Sequence, residues 1–225
     1  TRIIRDSRCI DALKITLEYV VVTVPLILAL AVIMAVLLND PKLKLKGIYR
    51  TCIFVPAAVS MVASAVIFRS LFAADGFVNS VLMNLGILEN GYNFLGHPSS
   101  ARIILMMVRV WKMLGYQMIF YLAALQSIDS TIYEAAKIDG ATGLQQFFQI
   151  TLPMLKPTMV FTIVMSVNAA IQVYDESVNL TNGGPGNATM PIAHYIYGLA
   201  FNGVPNFGYA CALSMVILIV VGAMA

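Results

Sequence analysis

Five long apolar runs constrain this chain more than any other feature. Near 15–38, 51–73, 101–127, 155–177 and 206–225, mostly apolar residues follow one another for about the length of a membrane span. A helix needs about 20 such residues to cross a ~30 Å hydrocarbon core. A soluble domain of 225 residues with 60% hydrophobic and 11% charged residues could not hide that much apolar surface. Lipid offers no partner to an unpaired backbone group, so runs this rich in Leu, Val, Ile and Met read as helices. The ten-residue alternation of a barrel strand is missing from them. The expected fold class is an all-α, polytopic membrane protein, with one transmembrane domain over 1–225. The chain opens at Thr1, and its last run stops at Ala225 within apolar sequence, so it reads as an internal fragment.

The loops orient the spans. Residues 39–50 carry Lys42, Lys44, Lys46 and Arg50 against Asp40, whereas residues 74–100 carry Asp75 and Glu89 without Lys or Arg. The positive-inside rule puts the first loop in the cytoplasm and the second outside. Counting onward, the loop that contains Glu134 is also cytoplasmic. Residues 1–14 conflict with this count, because Arg2, Arg5, Arg8 and Lys14 would then lie outside against Asp6 and Asp11.

Several function classes drop out. The net charge of +3 is scattered and forms no basic stripe for nucleic acid. Cys9, Cys52 and Cys211 share no metal or redox spacing and read as small apolar fillers. His97 and His194 read as solvated loop residues without a metal-ligand partner, so no metal site is expected. There is no nucleophile-base constellation and no G-x-x-x-x-G-K-[ST] phosphate loop, so no catalytic residue is expected on this chain.

The loop of about 128–153 is charged and broken by glycine between two apolar runs. Ser130 or Asp129 can cap a short helix through about Lys137, and Gly140 can end it in a left-handed conformation. Thr142 with Gln145 fits a capping box for a second helix to about Ile150, with Leu144, Phe147 and Phe148 on its apolar face. Pro153 would then break the ladder, and Pro157 would fit the first turn of the next span. Ala135 and Ala136 would let a partner backbone come close, while Glu134 and Asp139 could meet its basic groups. From these residues alone, an interfacial amphipathic helix joining two spans is the plainer reading.

The order of the residues adds to this. Glu134-Ala135-Ala136, then Asp139-Gly140-Ala141, then Ile150-x-Leu152-Pro153 resembles the EAA loop of binding-protein-dependent ABC importer permeases. Further motifs resemble the carbohydrate-uptake branch of that family. They are Leu45-Lys46-Gly47, Phe54-Val55-Pro56, Gly76-x-x-Asn79, the Thr181-Asn182-Gly183-Gly184-Pro185 turn, Tyr195-Ile196-Tyr197 and Gly208-Tyr209-Ala210. The resemblance covers nearly the whole chain. It implies six spans, of which the first precedes this sequence, and a non-catalytic permease subunit in a bacterial inner membrane. It also implies partners: a second homologous permease, two ABC ATPases and an extracytoplasmic sugar-binding protein. ATP and Mg would be bound by the ATPases and no cofactor by this chain. The ATPases would dock on Glu134, Ala135, Ala136, Asp139, Gly140 and Ala141.

In the 155–177 run, Thr158, Thr162, Met165, Asn168, Gln172 and Asp175 recur every three or four residues, as one helix face does. Hydroxyl, amide and carboxylate groups both give and accept hydrogen bonds from a sugar, and Tyr174 could lie against a ring. Thr162, Asn168, Gln172, Tyr174 and Asp175 are therefore candidates for the translocation path. The alternative is that Asn168 and Gln172 bond a neighbouring helix. At about 1.5 Å per residue from the cytoplasmic end, Lys112 lies about 22 Å up, and Arg109 and Asp175 about 27 Å up. Both basic residues could snorkel to the outer interface, where Trp111 would be an anchor. The expected cargo is a carbohydrate, an oligosaccharide or related glycoside, with a polyol, glycerol phosphate or other polar solute as the rival. A transporter driven by an ion gradient would need paired ionisable residues near the midplane, and the sequence suggests none. A scaffold without transport is the third class.

Overall fold

The computed structural model describes residues 5–40 and 42–224, except for the side chain of Met224. Arg2 of the basic N-terminal segment and Ala225 of the last run lie outside them. All regular structure among the described residues is helical. The chain forms two compact units, residues 1–24, 59–110 and 167–225 in one and residues 25–58 and 111–166 in the other.

Three expected spans are helices long and apolar enough to cross a membrane: α1, Ser7–Asn39; α5, Pro98–Gln126; and the continuous helical stretch Gly143–Ile171. The second expected span is not one helix. It forms α2, Lys46–Ala58, and α3, Met61–Leu71. Ser60 is extended and its hydroxyl accepts from the Ala63 amide at 3.2 Å, so a new helix is capped where the old one would have continued. The fourth helix stops at Ile171 rather than near 177, and the last, α11, covers Phe207–Met224. Between these lie α4, Phe77–Asn84; α6, Ser130–Ile138; α7, Gly143–Gln146; α8, Leu152–Ile171; α9, Asp175–Leu180; and α10, Ile192–Phe201.

In the first unit, Cys9, Ala12, Ile192, Tyr209 and Leu213 form a core that joins the start of α1 to α10 and α11. The Thr16 hydroxyl accepts from the Ile192 amide at 2.9 Å, satisfying one of the free donors at the start of α10. Asn79 is fully buried and locks the 74–100 loop, donating to the Ala73 and Tyr92 carbonyls and accepting from the Tyr92 amide. In the second unit, Ile27, Leu28, Ala31, Val32, Ala35 and Leu38 make the buried stripe of α1. Its outward face keeps Leu26, Ile33 and Leu37 exposed, as a helix facing lipid requires.

Asp6 fastens the N-terminal segment. Its Oδ2 accepts from the Tyr195 hydroxyl at 2.6 Å and the Tyr209 hydroxyl at 2.9 Å. Burial acts to raise the carboxyl pKa, but the two hydroxyls and the Cys9 and Arg8 amides outweigh it and hold it below 3.8. A depressed carboxyl stabilises the fold above its unfolded pKa, and the effect fades as pH falls through the folded value. Purified protein should therefore lose thermal stability below pH 3.8, and Asp6→Asn should flatten that part of the curve. An unchanged acid slope in Asp6→Asn would assign the loss to other groups.

Candidate functional site

The 129–153 segment folds as two capped helices. The Asp129 carboxylate accepts from the Thr131 amide and starts α6. At its other end Gly140 takes φ +79°, the Ala141 amide donates to the Ala136 carbonyl at 2.9 Å, and the Gly140 amide to the Lys137 carbonyl at 3.1 Å. This pair of bonds closes a helix only if one residue turns left-handed, the conformation that glycine adopts without a Cβ penalty. Thr142 and Gln145 form the expected capping box, which starts α7.

Two expectations fail beyond that point. The second helix does not end near Ile150, because α7 runs into a π-helical turn, Phe147–Thr151, and on into α8. The Leu152 amide reaches back to Phe147, so the ladder has already widened where Pro153 lacks its donor, and the helix continues. Pro157 accordingly sits inside α8 rather than in a first turn.

Glu134, Ala135, Asp139 and Gly140 are exposed, with Ala136 and Ala141 half-buried. Neither Glu134 nor Asp139 forms an ion pair among the described residues. Beside these unpaired acids, Ile138 is 87% exposed, Leu144 73% and Phe148 60%, so apolar and acidic groups share one open surface. A cleft of about 790 Å³ opens beside α6, lined by Asp40, Tyr133, Glu134, Lys137 and Gln146 among others.

The candidate path residues do not share a single helix face. Thr162 is fully buried, with its hydroxyl bonded to the Tyr121 hydroxyl, and next to it Ser166 accepts from the Gln117 amide at 2.8 Å. Asn168 is half-buried and bonds Gln172, which follows the last residue of α8. Tyr174 packs against Tyr197 at 4.8 Å and His194 at 5.6 Å, and Asp175 opens α9. Thus Thr162 is taken up by helix packing, whereas Asn168, Gln172, Tyr174 and Asp175 gather where α8 ends.

Sequence reasoning missed the residues that hold α9. Arg109 does not snorkel to the interface; it is buried and pairs at 3.0 Å with Glu176 of the short α9. Lys112 is also buried and donates to the Pro56 carbonyl at 3.3 Å. Arg69 donates to the Leu180 carbonyl at 2.8 Å, and Ser177 to the Thr189 carbonyl at 2.6 Å. His194 is buried rather than solvated, with Nδ1 2.8 Å from the Ser177 hydroxyl. His97 is exposed and stacks on Tyr92. Cys9 is a buried filler, but Cys52 and Cys211 lie on the outside. One signal was available: the helix rise put Arg109 and Asp175 at equal depth, and Glu176 adjoins Asp175.

After α9, the Thr181–Thr189 turn is held from within. Thr189 donates to the Gly184 carbonyl and bonds the Thr181 hydroxyl. Arg102 reaches this turn through the Ala188 carbonyl at 2.7 Å and pairs with Glu18 at 3.1 Å. A cleft of about 570 Å³ beside it is lined by Arg8, Lys14, Glu18, Arg102, Asn187 and Tyr195, among others.

Residues 27–225 match the family described as binding-protein-dependent transport system inner membrane component. The chain belongs to this family. Among its relatives, the permease is 44% identical over 213 residues to the lactose transport system permease protein LacF of Rhizobium radiobacter, covering 94% of this chain and 72% of LacF. It is 33% identical to the arabinooligosaccharides transport system permease protein AraP of Bacillus subtilis, covering 93% of this chain and 67% of AraP. The trehalose/maltose transport system permease protein MalF of Thermococcus litoralis is 34% identical, with 92% of this chain and 69% of MalF covered. In structure, the permease resembles a chain of a bacterial ABC transporter involved in the import of the acidic polysaccharide alginate. That match has a TM-score of 0.90 at 27% identity and covers 99% of this chain and 78% of that one. The permease is equally similar, with a TM-score of 0.90 at 27% identity over 99% of this chain and 77% of the other, to a chain of a bacterial alginate ABC transporter in complex with an alginate pentasaccharide-bound periplasmic protein.

Proposed function

We propose that this permease is one of two homologous membrane subunits of an ATP-driven bacterial importer that carries a carbohydrate into the cytoplasm. The observation that carries the coupling half of this reading is the open α6–α7 pair. Among the described residues its acids form no ion pair, its apolar side chains are exposed, and its turn is closed at Gly140. A surface of this kind is incomplete until a partner covers it. Two ABC ATPases, which bind the ATP and Mg, are the partner that the family suggests. The carbohydrate half rests on the relatives, whose names specify lactose, arabinooligosaccharides and trehalose or maltose.

In this reading, a sugar-binding protein delivers its ligand at the outer face, and closure of the ATPases shifts α6. The permease has two conformations, and the ATP-bound ATPases favour one of them by docking on it more tightly. Asn168, Gln172 and Tyr174, at the end of α8, supply amide, hydroxyl and aromatic groups suited to a passing sugar. Asp175 begins the next helix and adds a carboxylate. The Arg109–Glu176 pair does not meet the requirement of the ion-gradient reading, because the helix rise puts Arg109 about 27 Å from the cytoplasmic end, away from the midplane.

The test is ATP hydrolysis in vesicles by the full-length permease with its second permease, ATPase and binding protein, across a panel of sugars. Stimulation by a loaded binding protein with one sugar is expected; failure of any ATPase to associate would overturn the reading. Glu134→Lys and Gly140→Asp should each cut uptake by about tenfold, the factor that a loss of 1.4 kcal/mol of docking energy gives. The membrane fold should stay intact. Normal uptake with normal ATPase binding in both variants would show that the loop is not the coupling surface.

A further inference from the structure

The turn between α6 and α7 is the weak point of any lever made from this segment. It is four residues long, 139–142, and has a left-handed glycine at its centre. Motion applied to α6 and passed on only through this backbone would be absorbed as rotation about Gly140. Three side-chain hydrogen bonds enclose the turn. The Tyr133 and Thr151 hydroxyls lie 3.0 Å apart, joining the middle of α6 to the base of α8. The Thr151 hydroxyl lies 3.3 Å from the Gln146 carbonyl and donates to it. The Gln146 side-chain amide then donates to the Ala141 carbonyl at 3.0 Å, back across the turn.

The directions are fixed by the donors available. Thr151 has one hydroxyl proton, and the Gln146 carbonyl can only accept, so Tyr133 must donate to Thr151. The π turn is what makes this possible. Residues 147–151 are wound one residue wider than an α-helix, which brings Thr151 opposite the carbonyl five residues back. Thr151 is 6% exposed, at the wall of the cleft beside α6.

We infer that Tyr133 and Thr151 form a strut that carries movement of α6 directly to α8, bypassing the Gly140 turn. Both are positioning residues: they line the cleft beside α6, but their hydroxyls are turned to each other. The inference rests on the coupling role proposed above for α6. It adds that the link from α6 to the base of α8 runs through this hydroxyl pair, whose loss separates ATP hydrolysis from transport.

The test uses the full-length permease with its second permease, ATPase and binding protein, in proteoliposomes that report sugar uptake and phosphate release together. Tyr133→Phe and Thr151→Val each remove one hydroxyl and keep the side-chain volume. In each, sugar moved per ATP should fall about fivefold, the factor that about 1 kcal/mol for one neutral hydrogen bond imposes on a two-state equilibrium. ATPase association should be unchanged, and the melting temperature should fall by only about 2–4 °C, the shift that one such bond gives. Thr151→Ser, which keeps the hydroxyl, should couple as the wild type does. An unchanged ratio in both hydroxyl-deleted variants, or a proportional fall of uptake and hydrolysis, would overturn the strut. A wild-type complex without bound ATPase would instead overturn the coupling role itself, so the two failures are distinguishable.

Discussion

Replacing Glu176 by alanine should destabilise the permease by about 3–5 kcal/mol, because it leaves the Arg109 charge buried without a counter-ion. The two side chains are only 4% and 8% exposed, with N and O 3.0 Å apart. Among the described residues, Arg109 Nε already lacks a hydrogen-bond partner in this buried site. The loss should spread to the Thr181–Thr189 turn, since α9 is also tied through Arg69 and Ser177. A buried pair differs from its parts: removing both charges is far milder than removing one. The double variant Arg109→Met with Glu176→Leu should therefore recover most of the stability lost in Glu176→Ala. Thermal unfolding of the purified protein in detergent measures both. If the double variant is as unstable as the single one, or Glu176→Ala melts like wild type, the pair is not what holds α9.

Gly115→Val should abolish the packing of α5 on α2. A Cβ at Gly115 would fall on the Ile53 carbonyl oxygen and 2.8 Å from the Phe54 Cα. These are backbone atoms, which cannot rotate away as the end of a long side chain can. Overpacking a core commonly costs about 1–3 kcal/mol, and a branched residue against backbone should lie at the upper end. Close helix approach at a small residue is also what substitutes for a hydrophobic driving force inside a membrane. Lys112, one turn away, donates to the Pro56 carbonyl across the same contact, so its buried ammonium should lose that acceptor too. Yield of folded protein by size-exclusion chromatography is the direct measure. A Gly115→Val variant that purifies and melts as wild type does would mean that α2 shifts freely.

Local chemistry made parts of this fold legible. The Asp129 cap, the left-handed Gly140 and the Thr142–Gln145 box each need only a few neighbouring residues, and each sits where the sequence put it. Apolar runs longer than 20 residues left helices as the only backbone that lipid tolerates, so the class and the positions of α1 and α5 were also readable. The motif order from Glu134 to Pro153 was enough to name the family. Where the helices would break was less visible. A span expected over 51–73 and one expected to reach 177 were both judged by apolarity, which does not register Ser60 as a cap or the end of α8 at Ile171.

The fate of the polar residues within the spans was a matter for tertiary structure alone. Thr162 and Asn168 have the same helical spacing in sequence, yet one hydroxyl is sealed against Tyr121 and the other side chain bonds Gln172 beside the helix end. Arg109, 67 residues from Glu176, finds its counter-ion only because the chain returns there. Tyr133 and Thr151, 18 apart, meet across a turn that the sequence marked but whose closing hydroxyl pair it did not. The sequence by itself determined the class, the family and the caps, because these depend on local chemistry and on the solvent around the chain. Which polar groups are paired and buried, and which stay free to meet a partner or a sugar, was decided only by packing, because a hydrogen bond or ion pair has no energy until both ends arrive.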